Sequence, residues 1–327
     1  MRVLVTGANG FIGSFLSPAL VEQGHKVTGL AMPGEDASGN EAIGVSTVRG
    51  DLTDPASIKG LCDKTDLVYH LAGRVSDWGP RRAFFSSIVD ATRNLLAEAE
   101  GKVPRFVYIS SVCAYGMGKH LKGLREDGRV FRSGVPYADA KQDAEKLCRE
   151  CHSRGDTAVT IIRPSNVTGP GSVWVRDIVE RFMNSAVPLF NHGKYSASLI
   201  CVENLVDGLL LAGTMDVAAG QAYNFRDDWG VSWKRYLDDL GVICGKKTTV
   251  SVPFRLAWPL ARVMETAMTP FGVRPVATRH TLGLMGRDLD IDNTKAKEEL
   301  GWTTRVSYDE AMLNISRWVR ESGLLSE

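Results

Sequence analysis

Tyr137 and Lys141 stand four residues apart in Tyr137-Ala138-Asp139-Ala140-Lys141, directly after Pro136. Proline suits the first position of a helix, and residues four apart on a helix share a face, so the spacing sets a phenol beside an ammonium. A free phenol, with a pKa near ~10, is a poor base at neutral pH, and a neighbouring cation favours the phenolate. The pair is therefore suited to exchanging a proton with a substrate oxygen. Ser111 follows the apolar run 105–109, which reads as a strand, and can hydrogen-bond the same oxygen while the tyrosine moves the proton. Tyr-x-x-x-Lys is common by chance, and a surface helix with a half-buried tyrosine is the plain alternative. Independent parts elsewhere in the chain decide between them.

The first of these is Thr6-Gly7-Ala8-Asn9-Gly10-Phe11-Ile12-Gly13, where the apolar run Val3-Leu4-Val5 breaks into a turn. Three glycines at intervals of three, between a strand and an apolar-periodic helix beginning near Phe11, meet the needs of a dinucleotide pyrophosphate. One makes the tight turn, one lets backbone N–H groups reach the phosphates, and one lets helix and strand pack closely.

The elements that position these residues alternate. Strands are expected at 25–32, 45–49, 66–71, 105–109 and 157–162, with helices between them, including one capped by Asp54 and Pro55 and a long one ending near Glu100. Such alternation predicts an α/β, doubly wound, mostly parallel sheet whose ligands lie beyond the strands' C-terminal ends. The second strand ends in Leu30-Ala31-Met32, with neither the carboxylate that holds a ribose 2′-OH nor the arginine that accommodates a 2′-phosphate. The missing carboxylate lifts a repulsion against NADP without supplying a clamp, so the expected cofactor is NAD(P), with NADP favoured.

With 327 residues, 44% hydrophobic and 24% charged, the chain is long enough for one large and one smaller domain. A net charge of +1 and the absence of a basic run argue against a nucleic-acid partner. No stretch approaches the ~20 apolar residues of a membrane span and the N-terminus starts as a strand, so a cytoplasmic location is expected. Six cysteines lack paired spacing except Cys148-x-x-Cys151, inside a predicted helix, and read as reduced thiols; no metal site is expected.

Taken together, these motifs resemble the extended short-chain dehydrogenase/reductase family, in its NAD(P)-dependent epimerase/dehydratase-like form, over nearly the whole chain. The resemblance implies a Rossmann fold with a smaller C-terminal substrate-binding domain, and a homodimer. It implies catalytic roles for Ser111, Tyr137 and Lys141, with Asn94 of Thr92-Arg93-Asn94-Leu95-Leu96 beneath the site. It places the cofactor on Gly7, Asn9, Gly10, Phe11, Ile12 and Gly13, on Asp51-Leu52, on Leu71-Ala72-Gly73, on Tyr137 and Lys141, and on Pro164 and Val167 of the segment 163–171. The cofactor domain is expected over 1–170, with 198–225 returning to it, and a substrate cap over 171–327.

Within the family, sugar-nucleotide dehydratases carry an Asp-Glu pair after the catalytic hydroxyl, where this chain has Val112 and Cys113. Epimerases usually present an arginine to the diphosphate where this chain has Ala197 and Ser198, although Arg176, Arg181 or Arg279 could supply one. Val202-Glu203-Asn204-Leu205-Val206-Asp207 and Arg74-Val75-Ser76-Asp77-Trp78-Gly79 are similar instead to the 3β-hydroxysteroid dehydrogenase and sterol-4-carboxylate dehydrogenase branch. The expected activity is interconversion of a secondary alcohol and a ketone on an apolar, sterol-like or long-chain substrate. A nucleotide-sugar epimerase is the alternative, and a cofactor-sensing binding protein the third reading. The apolar stretch 252–271 reads as core, as a cap over a greasy substrate, or as a patch for peripheral membrane contact.

Overall fold

The computed structural model describes residues 1–248 and 250–325. Among them the strands are β1 (Arg2–Thr6), β2 (Lys26–Ala31), β3 (Ser46–Arg49), β4 (Leu67–His70), β5 (Arg105–Ile109), β6 (Leu121–Leu124), β7 (Ala158–Pro164), β8 (Asn166–Thr168), β9 (Pro188–Phe190), β10 (Leu199–Cys201), β11 (Ala222–Phe225), β12 (Val250–Val252) and β13 (Leu289–Ile291). The helices are α1 (Gly13–Glu22), α2 (Ser38–Ala42), α3 (Arg81–Phe84), α4 (Ala91–Ala99), α5 (Pro136–Arg154), α6 (Val173–Asn184), α7 (Val202–Thr214), α8 (Trp233–Ile243), α9 (Phe254–Met268), α10 (Arg279–Met285), α11 (Thr294–Leu300) and α12 (Tyr308–Glu321).

A seven-stranded sheet runs in the order β11-β7-β5-β4-β1-β2-β3 with every neighbouring pair parallel. The direction of winding reverses between β1 and β4, which opens a crevice at their C-terminal ends. Strand β1 shows how the sequence fixes both faces. Val3 and Val5 pack with Leu16 and Leu20 of α1 and Leu205 and Leu209 of α7, while Leu4 packs with Leu95 of α4 and Ala140 and Ala144 of α5. Successive side chains point to opposite faces, so a strand covered on both sides must be apolar throughout. A third core, built on Trp233, Tyr236, Phe254, Leu282 and Ile315, lies beneath the later helices. Those helices are joined to the earlier chain by short parallel pairs, β8 with β10, β9 with β12 and β6 with β13.

Local chemistry explains the boundaries. Helix α5 begins at Pro136 after extended Val135 and stops at Gly155 in the left-handed region. Helix α12 starts from a Ser307 hydroxyl that accepts the Glu310 N–H. Three expectations change. No helix follows Asp54-Pro55: residues 52–64 form turns, because the Asp51 and Asp54 carboxylates accept the N–H groups of Thr53 and Ala56 and hold local bends. The long helix ending near Glu100 is interrupted by a π-helical stretch over Phe85–Asp90. Helix α1 itself starts at Gly13, two residues later than expected. Among the described residues no helix is long and apolar enough to cross a membrane.

Candidate active site

One cavity of about 1940 Å3 runs along the crevice from the glycine turn to the later helices. Gly7, Asn9, Gly10, Phe11, Ile12 and Gly13 line one end. Two of the glycines are required there by space. Gly7 has φ 72°, and a Cβ on it would stand 2.9 Å from the Ala72 nitrogen; a Cβ on Gly13 would stand 2.2 Å from the Gly7 oxygen. The turn is thus packed against the end of β4; the Ser14 N–H closes back on the Gly10 carbonyl at 2.8 Å, so the backbone that faces the cavity here is that of Phe11, Ile12 and Gly13, just ahead of and at the start of α1. Thr6 ties the two strands together: its hydroxyl accepts the Ala72 N–H and bonds His70 Nδ1, whose Nε2 meets Thr92. Burial holds the His70 imidazole down to about 3, so it is a neutral bridge at physiological pH.

Leu71, Ala72 and Gly73 beyond β4, Asp51 and Leu52 beyond β3, and Pro164 and Val167 at and after the end of β7 also line the cavity. This cradle fits a dinucleotide: a Cβ on Gly10 would meet only the Gly7 oxygen within 4 Å, at 3.1 Å, so its absence leaves room at the cavity surface for a phosphate. A residue with no signal in the sequence pattern is Glu35, three residues past the strand end at Met32. Glu35 lines the cavity, accepts the Met32 N–H at 2.8 Å, and has its own carbonyl bonded by Arg49 from the end of β3.

Ser111, Tyr137 and Lys141 line the middle of the same cavity. Ser111 is extended and caps the 3-10 turn Val112–Tyr115, with its Oγ accepting the Cys113 N–H at 3.2 Å. That leaves its hydroxyl hydrogen free for another acceptor. The Tyr137 ring is held edge-on between Phe84 and His280, at 6.5 and 5.1 Å. Burial, aided by the neighbouring Cys113 thiol, pushes the phenol above its ordinary value, offset only in part by hydrogen bonding to Ser111. The net direction is the reverse of the expected lowering by Lys141, whose Nζ lies 5.9 Å from the Tyr137 ring centre. Lys141 Nζ donates to the Ile109 carbonyl at 2.7 Å, and burial brings its ammonium down to about 8. One of its three N–H donors is thereby committed and two remain.

Asn94 is not brought into this group. It lies a turn further along α4, where its Nδ2 donates to the Leu52 carbonyl at 2.8 Å, so it supports the wall formed by Asp51 and Leu52; Ser87 and Ala91 are the residues of this helical run that reach the cavity. The π-helical stretch shifts the register here.

Behind the trio sits a pair with no local signature in the sequence. Glu145, one turn beyond Lys141, accepts Arg163 Nε and Nη2 at 2.8 and 2.7 Å and the Ser110 hydroxyl at 2.6 Å. Both side chains are fully buried, and the Arg163 bonds outweigh burial to hold the Glu145 carboxyl below its usual range. The bidentate pair locks α5 to the ends of β5 and β7 and so sets Tyr137 and Lys141 against Ser111.

The far end of the cavity is lined by Trp78, Trp174, Leu256, Leu260, Met264 and Val276, together with Arg176, Arg181 and His280. His280 is a further residue that sequence reasoning missed; burial takes its imidazole down to about 4. Arg279, by contrast, is committed to Glu265, bonding it through both backbone and Nε. At the position where an arginine would meet a diphosphate, Ala197 and Ser198 are buried.

The pattern of the NAD dependent epimerase/dehydratase family matches residues 3–225. The chain is 27% identical over 319 residues to a 4-hydroxy-2-methyl-3-oxo-4-farnesyl-3,4-dihydroquinoline-1-oxide ketoreductase of Stigmatella aurantiaca, covering 95% of each. It is 26% identical over 328 residues to a 3-beta-hydroxysteroid dehydrogenase of Mycolicibacterium neoaurum, covering 95% of this chain and 89% of that one. Its fold is similar to the crystal structure of a UDP-glucose 4-epimerase of Thermotoga maritima with UDP-glucose, with a TM-score of 0.79 at 22% identity over 98% of this chain and 99% of that one.

Proposed function

The chain belongs to the NAD dependent epimerase/dehydratase family, an NAD(P)-dependent enzyme of the extended short-chain dehydrogenase/reductase type, and from that premise we propose that it reduces an apolar ketone to a secondary alcohol. The observation that carries this reading is one continuous cavity. It has a glycine cradle at one end, Ser111, Tyr137 and Lys141 in the middle, and a largely apolar far end.

When bound, the dinucleotide supplies or accepts the hydride. The protein's part is to hold the ketone and move a proton. The Tyr137 phenol, pushed above its ordinary value, is protonated at neutral pH and stands ready to donate to the carbonyl oxygen as that oxygen gains charge. The Ser111 hydroxyl, with one of its two lone pairs engaged by the Cys113 N–H, donates its hydrogen to the same oxygen and fixes its place. Lys141 has two N–H donors free for cofactor hydroxyls, and its charge favours the phenolate left after donation. In alcohol oxidation the same proton returns by the same path.

The expectation of NADP rested on a missing carboxylate. Glu35 supplies one at the same end of the cavity, and a carboxylate there repels a 2′-phosphate. NAD is therefore the proposed cofactor. The relatives named as acting on a farnesylated quinoline and on a 3β-hydroxysteroid support the apolar substrate class. Arg176 and Arg181 in the cavity favour a second reading, a nucleotide-sugar epimerase.

Thermal shift and redox assays with the purified protein separate the two. An apolar 3-keto or 3-hydroxy ligand should raise Tm in the presence of cofactor, and apolar ketones should consume NADH faster than NADPH. UDP-, GDP- and dTDP-sugars should do neither. Saturable stabilisation by one nucleotide-sugar, with cofactor that copurifies and undergoes no net turnover, would make the epimerase the correct assignment.

A further inference from the structure

An apolar substrate has to reach the cavity, and the outer face of α9 bears on how. The inner face of this helix is spent on the core, through Phe254, Ala257 and Ala261. A helix with one face buried ordinarily turns a polar face to water. Here the outward stripe is Leu256, Leu260 and Val263, exposed to 68%, 58% and 64%, and it continues past the helix into Phe271 at 83% and Val276 at 70%. A contiguous exposed apolar stripe of this kind marks an interaction surface.

The charges beside the stripe identify its partner. Between positions 246 and 276 the basic residues are Lys246, Lys247, Arg255, Arg262 and Arg274, against a single carboxylate, Glu265. Glu265 is already held by Arg279. Lys246, Lys247, Arg255 and Arg262 are exposed. Arg274 is held by Asp77 and Asp177, so the cations this stretch offers are Lys246, Lys247, Arg255 and Arg262; leucine, valine and phenylalanine flanked by these four make a face that complements an anionic lipid surface. The same face is continuous with the site, since Leu256, Leu260 and Val276 also line the cavity.

We propose that the outer face of α9 and the segment 271–276 dock on an anionic bilayer, with the cavity mouth turned toward the acyl region. A lipophilic substrate then passes between membrane and active site without crossing water. The proposal rests on the apolar-substrate reading only for its purpose, because the docking itself needs neither substrate nor cofactor.

The test is flotation of the full chain with vesicles of phosphatidylcholine alone or mixed with phosphatidylglycerol, in the absence of substrate. The protein should float with the mixed vesicles about tenfold more tightly than with neutral ones, and raised salt should release it. Val263 and Phe271 do not line the cavity. The double variant Val263→Asp/Phe271→Asp should therefore lose flotation, yet retain turnover of a short water-soluble ketone and the parent's circular dichroism. Arg255→Glu/Arg262→Glu should lose the preference for phosphatidylglycerol. A parent protein that binds neither vesicle, or a Val263/Phe271 variant that floats as well as the parent, overturns the proposal. So does a parent that sediments as a dimer and a variant that sediments as a monomer, with no flotation by either, which would assign the face to a second copy of the chain. Failure to float leaves the ketone assignment standing, and stabilisation by a nucleotide-sugar would leave flotation standing, so the two failures are distinct.

Discussion

Removing the Tyr137 hydroxyl deletes the only group proposed to donate the proton, while the ring stays packed between Phe84 and His280. Tyr137→Phe should therefore lower kcat by about 10²–10⁴-fold with little change in cofactor affinity. Unchanged turnover would remove Tyr137 from the mechanism. Lys141 adds a pH dependence, because its ammonium is held down to about 8. Above that value the charge that favours the phenolate is lost, so kcat/KM measured at limiting cofactor should fall as pH rises through about 8. The stability linkage has the opposite sense. Between about 8 and the ordinary 10.5 the unfolded chain binds a proton that the folded chain does not, so Lys141 makes folding more favourable as pH rises through that window. A pH profile that stays flat to 10, with Lys141→Met showing the same profile, would contradict this account.

At the scale of elements, the buried pair of Glu145 and Arg163 joins α5 to the sheet. Glu145→Gln leaves a guanidinium without its counter-charge in the interior and should cost about 3–5 kcal/mol. Thermal melting should detect a fall in Tm, and replacing both partners with apolar residues of similar volume should recover much of it. A Glu145→Gln variant that melts with the parent would show that the pair does not fix α5. This pair also marks where reading the sequence stopped. The glycine turn, the strand ends and the Tyr137/Lys141 spacing were legible because each is a short-range pattern with a geometric cause. Glu145 and Arg163 lie on different elements, and nothing near either residue announces the other. The Leu30-Ala31-Met32 strand end carries no carboxylate, and Glu35 reaches the cavity from the loop beyond it, outside the position the pattern defines. The role of Asn94 follows from the family resemblance alone, and the π-helical stretch ahead of it alters which residues of that run face the cavity.

The whole molecule closes its central sheet late. Strand β11 pairs with β7 through Ala222↔Ile161 to Phe225↔Pro164, and Tyr223 and Phe225 fill the core beneath it. Helix α7, which precedes β11, packs with α1 at the opposite end of the chain's order. Residues 1–170 made alone should therefore be insoluble or collapsed without a cooperative melt, whereas 1–225 should gain secondary structure and some cofactor binding. A cooperative melt for 1–170 would contradict this. The same late closure has a meaning during synthesis. Roughly 60 residues separate the end of β7 from the end of β11, and a ribosome adding about 5–20 residues per second takes on the order of 3–12 s to deliver them. For that interval the emerging chain displays an unpaired, apolar strand edge, which is the kind of surface that recruits chaperones or pairs with a neighbouring nascent chain.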